Sequence, residues 1–513
     1  MTVKVNNILN SLLHALLITT LVCCFTQTTS TIVFAQPGLV VVIDSDTTWT
    51  KADSPHELTG PLFVSQGATL TIEAGATVDL NDYNVLVNGT LRAIGTSSQK
   101  IQLISTGKAG SETIEFTQHS NGWNEETGSG STLENVVTNH VHIDSSAPVK
   151  VYKSEIYSIY VSSSSIITDN TIKVLKVSGG SPIIQNNDIY VIDIDSGTPE
   201  ILDNTIERIE NGDHCSSSPV ISGNLITSIG HYGPKTNGGV SFRVFQAKSI
   251  TITNNTIRHG IFVVANSAVI ANNTVTGYTF SGYEWFIVEA RPINITSPGI
   301  ILEGKGNVSG NIVTGCSLGI KGGTLIEGNL LTNNTDGIIV TQNDAIVRNN
   351  NIQANSTGIE ALTGGKVTIE NNLIKDCDKY GVNVITSEAT ILNNTITNVD
   401  QVAIRLLECG SAKINYNNIE NYAQYSIYLD GTSSTIDATN NWWGTTDTQA
   451  IDATIYDFKH DFYLGKVNIE PILTEPNPNA QPKYIIPEFP TWTILPLAAV
   501  IILVAIIFKK KIP

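Results

Sequence analysis

Ile201-Leu202-Asp203-Asn204-Thr205-Ile206, Ile221-Ser222-Gly223-Asn224-Leu225-Ile226 and Ile252-Thr253-Asn254-Asn255-Thr256-Ile257 are three copies of one phrase, Ile-x-x-Asn-x-Ile. It returns around Asn273, Asn311, Asn329, Asn350, Asn372, Asn394 and Asn417, and its asparagine extends back to Asn170 and Asn187. The asparagines mostly sit 17 to 23 residues apart. Two gaps are longer, Asn224 to Asn255 and Asn273 to Asn311. A second phrase follows the asparagine: Gly337-Ile338, Gly358-Ile359, Gly381-Val382, Ala403-Ile404, Ser426-Ile427. Self-similarity at a fixed short period is the mark of a solenoid.

Each period holds short runs of Ile, Val and Thr broken by Asn, Asp, Gly and Ser, which is strand-and-turn chemistry. About twenty residues are too few for a helix pair. Alternation around Asn-x-Ile gives a strand with one buried face. One coil alone cannot bury its inward Ile and Val, but stacked coils pair each strand with its copy about 4.8 Å away. The expectation is an all-β parallel β-helix with Ile columns inside and an Asn column at one corner. Asn fits a corner because it tolerates left-handed backbone and its amide can bond the next Asn.

This pattern resembles the right-handed parallel β-helix repeats of pectate-lyase-like proteins, NosD-type periplasmic proteins and many surface proteins, over roughly residues 46–473. The stretch from Gly67 to Val78, followed by Val87 to Gly95, resembles the first coils of such helices, and Asn440-Asn441-Trp442-Trp443-Gly444 resembles their last coil. That fold hosts lyases, hydrolases, epimerases, adhesins and spacers, so the resemblance alone assigns no activity.

A chain of 513 residues, 41% hydrophobic with net charge −17, can build a large core and gives no electrostatic case for nucleic acid. Residues 1–35 read as a signal peptide, with Lys4, an apolar run over 8–25 and Val33-Phe34-Ala35 before the cleavage point. Residues 36–105 read as an N-terminal cap with the first coils, 106–441 as β-helix repeats and 442–473 as a C-terminal cap over exposed strand edges. Residues 474–490 read as a stiff Pro-rich linker. Residues 491–513 read as a transmembrane or sorting tail, whose apolar run 492–508 precedes Lys509-Lys510-Lys511. Pro487-Glu488-Phe489-Pro490 resembles the PEF-type sorting tails of archaeal surface proteins, which implies tail removal and lipid attachment. The expected location is the outer side of the cell membrane, anchored through the C terminus.

Cys316 and Cys377 share a column, too far apart for a disulfide. With Cys215 and Cys409 they read as free, half-buried thiols. Asn88, Asn294 and Asn355 are the preferred glycosylation sequons, since others arise from the repeat phrase itself.

Insertions in a solenoid mark loops and binding faces. The first long gap holds Tyr232, Phe242 and Arg243, and the second holds Tyr283, Glu284, Trp285, Glu289 and Arg291. Aromatic faces beside carboxylates and Arg suit a glycan groove; the alternative is that a gap hides a degenerate coil. Asp193 and Asp195 alternate on one strand face and offer hard oxygen ligands at a spacing that could take Ca²⁺, with no other cofactor indicated. His140 and His142 alternate likewise and could chelate a metal, but a plain surface pair is the preferred reading. The pectate-lyase Arg column, the polygalacturonase paired aspartates with Gly-His-Gly, and the epimerase signature have no match. The expected function is a surface-anchored envelope module contacting polysaccharide. A lyase or glycoside hydrolase acting on acidic glycans is the alternative class, and a passive spacer the third.

Overall fold

The structure is a computed structural model. It describes residues 39–483 except 108–111, 212–215, 230, 235–239, 244 and 286–289, and within 230–244 and 280–295 the description is of backbone only. The expected signal peptide and the tail 491–513 therefore lie outside the described residues. Among the described residues no helix is long and apolar enough to cross a membrane.

Period-2 patterning and stacking give one parallel ladder. A 48-stranded sheet takes in every described strand except two antiparallel hairpins. Its pairings run in parallel from Val41↔Leu62 to Ile427↔Ile455. At about 4.8 Å per coil the stacked column is on the order of 85 Å long. Inward positions are filled by Ile, Val and Leu at every level. Ile206, Ile257, Ile352, Ile374 and Ile396 are at most 2% exposed, each burial worth about 1.5–3 kcal/mol.

The asparagine column forms as expected. Asn170 donates from Nδ2 to Asn187 Oδ1 at 3.0 Å, and the chain of such bonds runs through each successive rung to Asn417 and Asn441. Each side chain also bonds backbone carbonyls, as Asn394 does to Ile369 and Leu392, so a rung fully satisfies its buried amide. The left-handed residue is not the rung, however. It is the one before it: Asp203, Asn254, Asn393 and even Tyr416 have φ between 53 and 59°. Left-handed backbone turns the chain, and the following Asn then reaches inward with helper bonds at full strength.

Both long gaps are single coils carrying an insertion. Asn224 bonds Asn255 directly, and Asn273 bonds Asn311, so no degenerate coil is hidden in either. In the first gap His231–Pro234 pairs with Val240–Arg243, and in the second Thr279–Trp285 pairs with Ala290–Thr296.

Coil length changes the cross-section. Where rungs lie 17 residues apart, the strand after the Asn runs on without a break, as in Thr171–Ser178 and Asp188–Ser196. Where they lie 22 apart it divides, as in Leu373–Cys377 and Tyr380–Ile385. The Gly-Ile phrase marks that second start. A Cβ on Gly358 would fall 2.4 Å from Ile374 Cγ2 and 2.6 Å from the Gly381 carbonyl oxygen, so that coil requires glycine, whereas Ala403 and Ser426 fill the same register position in the last coils.

The C-terminal region covers the last coil. Asp447 caps the short helix Thr448–Asp452 by accepting from the amides of Gln449 and Ala450, and Trp443, Ile451 and Ile455 close the core. The Pro-rich segment, expected as a stiff extended linker, is hydrogen-bonded to the coils as far as Lys483. It folds back along the rod: the Leu473 amide donates to the Asn441 carbonyl, Asn477 is held by Asn418, Asn393 and Tyr416, Thr395 donates to the Ala480 carbonyl, and the Lys483 amide donates to Asn349 Oδ1. Asparagines in the segment and on the coils supply the amides that an extended, proline-interrupted chain cannot pair with itself.

Candidate functional site

The shortest coils leave an outward concavity where the strand after the rung bends into the next sheet face. A groove of about 800 Å³ runs there from Val137 to Arg258. Six coil steps make it about 30 Å long. Its floor is a register column, Glu155↔Thr171↔Asp188↔Thr205↔Leu225, and its second row is Tyr157, Lys173, Tyr190, Glu207, Thr227 and Arg258. Between the two rows Ile172, Ile189 and Ile206 point inward, so both rows necessarily face out.

The groove's electrostatics are mixed rather than single-signed. Glu155, Asp188 and Glu207 supply carboxylates, while Lys173 and Arg258 supply cations. Lys100 Nζ lies 2.5 Å from Glu155 Oε1 at the upper end, and Thr227 Oγ1 donates to Glu207 Oε2 at 3.0 Å. Tyr157 is enclosed: Lys173 Nζ sits 4.8 Å from its ring centre, and the His140 and His142 rings lie 5.2 and 5.7 Å away. Tyr190 is different, with 55% of its surface exposed in the groove. Tyr190 is thus an aromatic platform on a rigid strand with acceptors and donors on both sides.

These residues were not anticipated from the sequence. The aromatic residues that the insertions offered are only in part placed. Tyr232 stands opposite Phe242, His231 opposite Arg243, and Glu284 opposite Arg291 in the hairpin registers; Tyr283 and Trp285 are strand residues beside them. Their side chains, and Glu289 altogether, lie outside the description. The first hairpin leaves the coil between Ile229↔Ile261 and Phe245↔Val263, and the second ends four residues before Ile300, which pairs with Ile261. The hairpins therefore spring from neighbouring points of the coil, at the C-terminal end of the groove, where Thr227 and Arg258 line it.

Asp193 and Asp195 do face outward, with Ile192 and Ile194 buried at the alternate positions. Lys176 Nζ stands 3.3 Å from Asp193 and 2.7 Å from Asp195. Burial pushes the Asp193 carboxyl above its usual range, against the opposing pull of Lys176, and burial does the same to Asp144. Neither carboxylate lines the groove. Among the described residues no group of three or more His, Cys, Asp or Glu side chains is placed to hold a metal ion. The His142 Nδ1 is bonded to Ser158 Oγ, and His140 and His142 both pack on Tyr157.

Cys316, Cys377 and Cys409 are free thiols, as expected, and fully buried rather than half-buried. Burial pushes Cys316 and Cys377 up to about 12 and Cys409 to about 11. Cys215 lies outside the described residues. Among the sequons, Asn355 is exposed, and Asn88 is partly covered with its oxygen accepting from Thr117. The Asn294 side chain lies outside the description. Asn254 and Asn272, set aside as repeat residues, occupy the exposed position before the rung.

Comparison with known proteins agrees with the geometry. The model of the right handed beta helix region family matches residues 293–443, which gives the solenoid its hand. Among solved structures the chain is similar to the crystal structure of bacteriophage CBA120 tailspike protein 3 (TSP3, orf212), at 11% identity and a TM-score of 0.19. That match covers 83% of this chain and 58% of the tailspike chain, so this chain spans less than two thirds of it. A superposition that loose assigns no residue a role. No curated protein matches the chain.

Proposed function

We propose that the protein is a polysaccharide-binding module of the cell envelope, and that the groove around Tyr190 is its binding site. The observation that carries this reading is an exposed tyrosine face in a straight groove about 30 Å long, flanked by both hydrogen-bond donors and acceptors. Sugar rings present an apolar C–H face to an aromatic ring and hydroxyls to charged side chains, which this arrangement satisfies at once. Three carboxylates against two cations, one carboxylate already paired with Lys100, favour a neutral polymer over a strongly acidic one. Stacked β-coils fix the spacing of the two rows, so little order need be acquired on binding.

Cleavage is the second reading. It would need an acid and a base converging across the groove. The two carboxyls that burial raises, Asp144 and Asp193, stand on the adjoining face instead, which favours binding over hydrolysis or elimination. The envelope setting follows from the signal-like start, the apolar run 492–508 with its lysines, and the PEF-like tail, which together support export and surface attachment.

A glycan array combined with a polysaccharide-depolymerisation screen tests this. It is run with and without Ca²⁺, because Asp193 and Asp195 could serve a cation only by releasing Lys176. Retention of a neutral glycan without product is the expected result. Unsaturated or newly reducing ends would replace the binding module with an enzyme, and no retention on any glycan would leave a spacer.

A further inference from the structure

The C-terminal segment and the groove lie on one edge of the rod. The segment is gripped by Thr395 and Asn418. Both belong to the same register column as the groove floor, which continues from Leu225 through Thr256, Thr274, Ile312, Leu330, Asn351 and Leu373. The grip consists of polar side chains on three of four successive coils: Asn418, Asn393 and, past the coil of Asn372, Asn349. Above Asn349 the corner positions are Gly328 and Gly310, and the column beside them is Leu330 and Ile312, so no side chain there can continue it. The last described residue, Lys483, is held at Asn349 on the edge of the rod that carries the groove floor, about 19 Å of coil rise below Thr256.

Eight residues, 484–491, separate Lys483 from the apolar run. Fully extended they reach about 28 Å, roughly a third of the rod's length. Standing the rod on its C-terminal end would use most of that reach. Lying on the flank from which the tether leaves would use little.

We infer that the groove is held towards the surface that carries the C terminus, so its partner is a polysaccharide of that same envelope, met in cis. The partner class rests on the saccharide and anchor readings above, and the orientation on the anchor reading alone. A glycan displayed by another cell or free in solution would have to enter between rod and surface. Neutral envelope polymers lying alongside the tether would meet Tyr190 directly.

Orientation is measurable without any saccharide. Residues 36–491, carrying a hexahistidine tag in place of 492–513 so that the tether keeps its eight residues, and Cys215→Ser, are attached to nickel-chelating lipid vesicles that contain a lipid-linked acceptor dye. A donor dye is placed at Thr171→Cys on the groove floor or at Ser181→Cys on a different corner; both positions are exposed. Stronger energy transfer from position 171 than from 181 is expected. Loosening the grip with Asn477→Ala and Asn418→Ala should narrow that difference. Equal or reversed transfer in the unaltered grip overturns the inference, as does a difference indifferent to the grip. Failure of every glycan to bind would instead overturn the saccharide reading and leave the transfer result standing by itself.

Discussion

Asn224 Nδ2 lies 3.0 Å from Asn255 Oδ1, although 31 residues separate the two. They are successive rungs of one ladder, and the chain between them makes an ordinary coil plus a hairpin. The ladder therefore sets the coil count, and the spacing between asparagines reports only how much chain each coil carries.

It follows that the first hairpin is dispensable to the fold. Ile229 and Phe245 flank it and stand opposite Ile261 and Val263, one register position apart from adjacency, so a single residue can replace 230–244. The shortened protein should unfold cooperatively with stability within about 1 kcal/mol of the parent, since loop length has a shallow entropic cost. Loss of the cooperative transition in denaturant would show the hairpin to be structural.

Rungs should behave very differently from the residues around them. Asn394→Ala removes bonds to Ile369, Leu392 and Asn417 and strips Asn372 of an acceptor in a fully buried column. Equilibrium unfolding should show a loss of about 3 kcal/mol or more. Asn355→Ala, on an exposed turn, should change stability by less than about 0.5 kcal/mol.

The same contrast explains what was legible in the sequence. Rungs and inward isoleucines face an identical environment in every coil, so the sequence repeats there and the solenoid could be read. The left-handed corner was misassigned because Asn254-Asn255 or Asn393-Asn394 fits either order; Gly223 and Tyr416, which precede Asn224 and Asn417, resolve it. The groove was not legible because its residues face solvent and need not repeat. Tyr157, Lys173, Asp188, Tyr190 and Glu207 align only once coils are stacked on their rungs. One signal was present: rungs 17 residues apart leave no room for the Gly-Ile turn, and the middle of the groove lies at those coils.

Thiol chemistry gives a pH dependence. Cys316 and Cys377 are pushed up to about 12 and Cys409 to about 11, while thiols of the unfolded chain ionise from about 8.5. Between those values the native state holds more protons, so stability is present below pH about 8.5 and falls as pH climbs towards 11. Native protein beginning at Gln36, and so without Cys23 and Cys24, and carrying Cys215→Ser should resist a thiol-reactive disulfide reagent at pH 8, and denatured protein should react. Rapid labelling of the native form would contradict the burial.

The folded-back C-terminal segment should also be separable from the rod. Asn477→Ala deletes the side-chain bonds to Asn393 and Tyr416 while leaving the ladder intact. Amide hydrogen exchange should quicken at Asn477 and Lys483 with no change at Asn394 or Asn417. Quickening that spreads into the rungs would mean that the segment clamps the whole coil stack.

Titration calorimetry with a glycan retained on the array should compare the parent with Tyr190→Ala, and with Tyr283→Ala combined with Trp285→Ala in the second hairpin. Removing the Tyr190 platform should weaken binding about tenfold or more, roughly 1.4 kcal/mol, with unchanged thermal stability because that ring packs against nothing in the core. Undiminished affinity in Tyr190→Ala, with loss in the hairpin variant, would contradict the groove and place the site on the insertions.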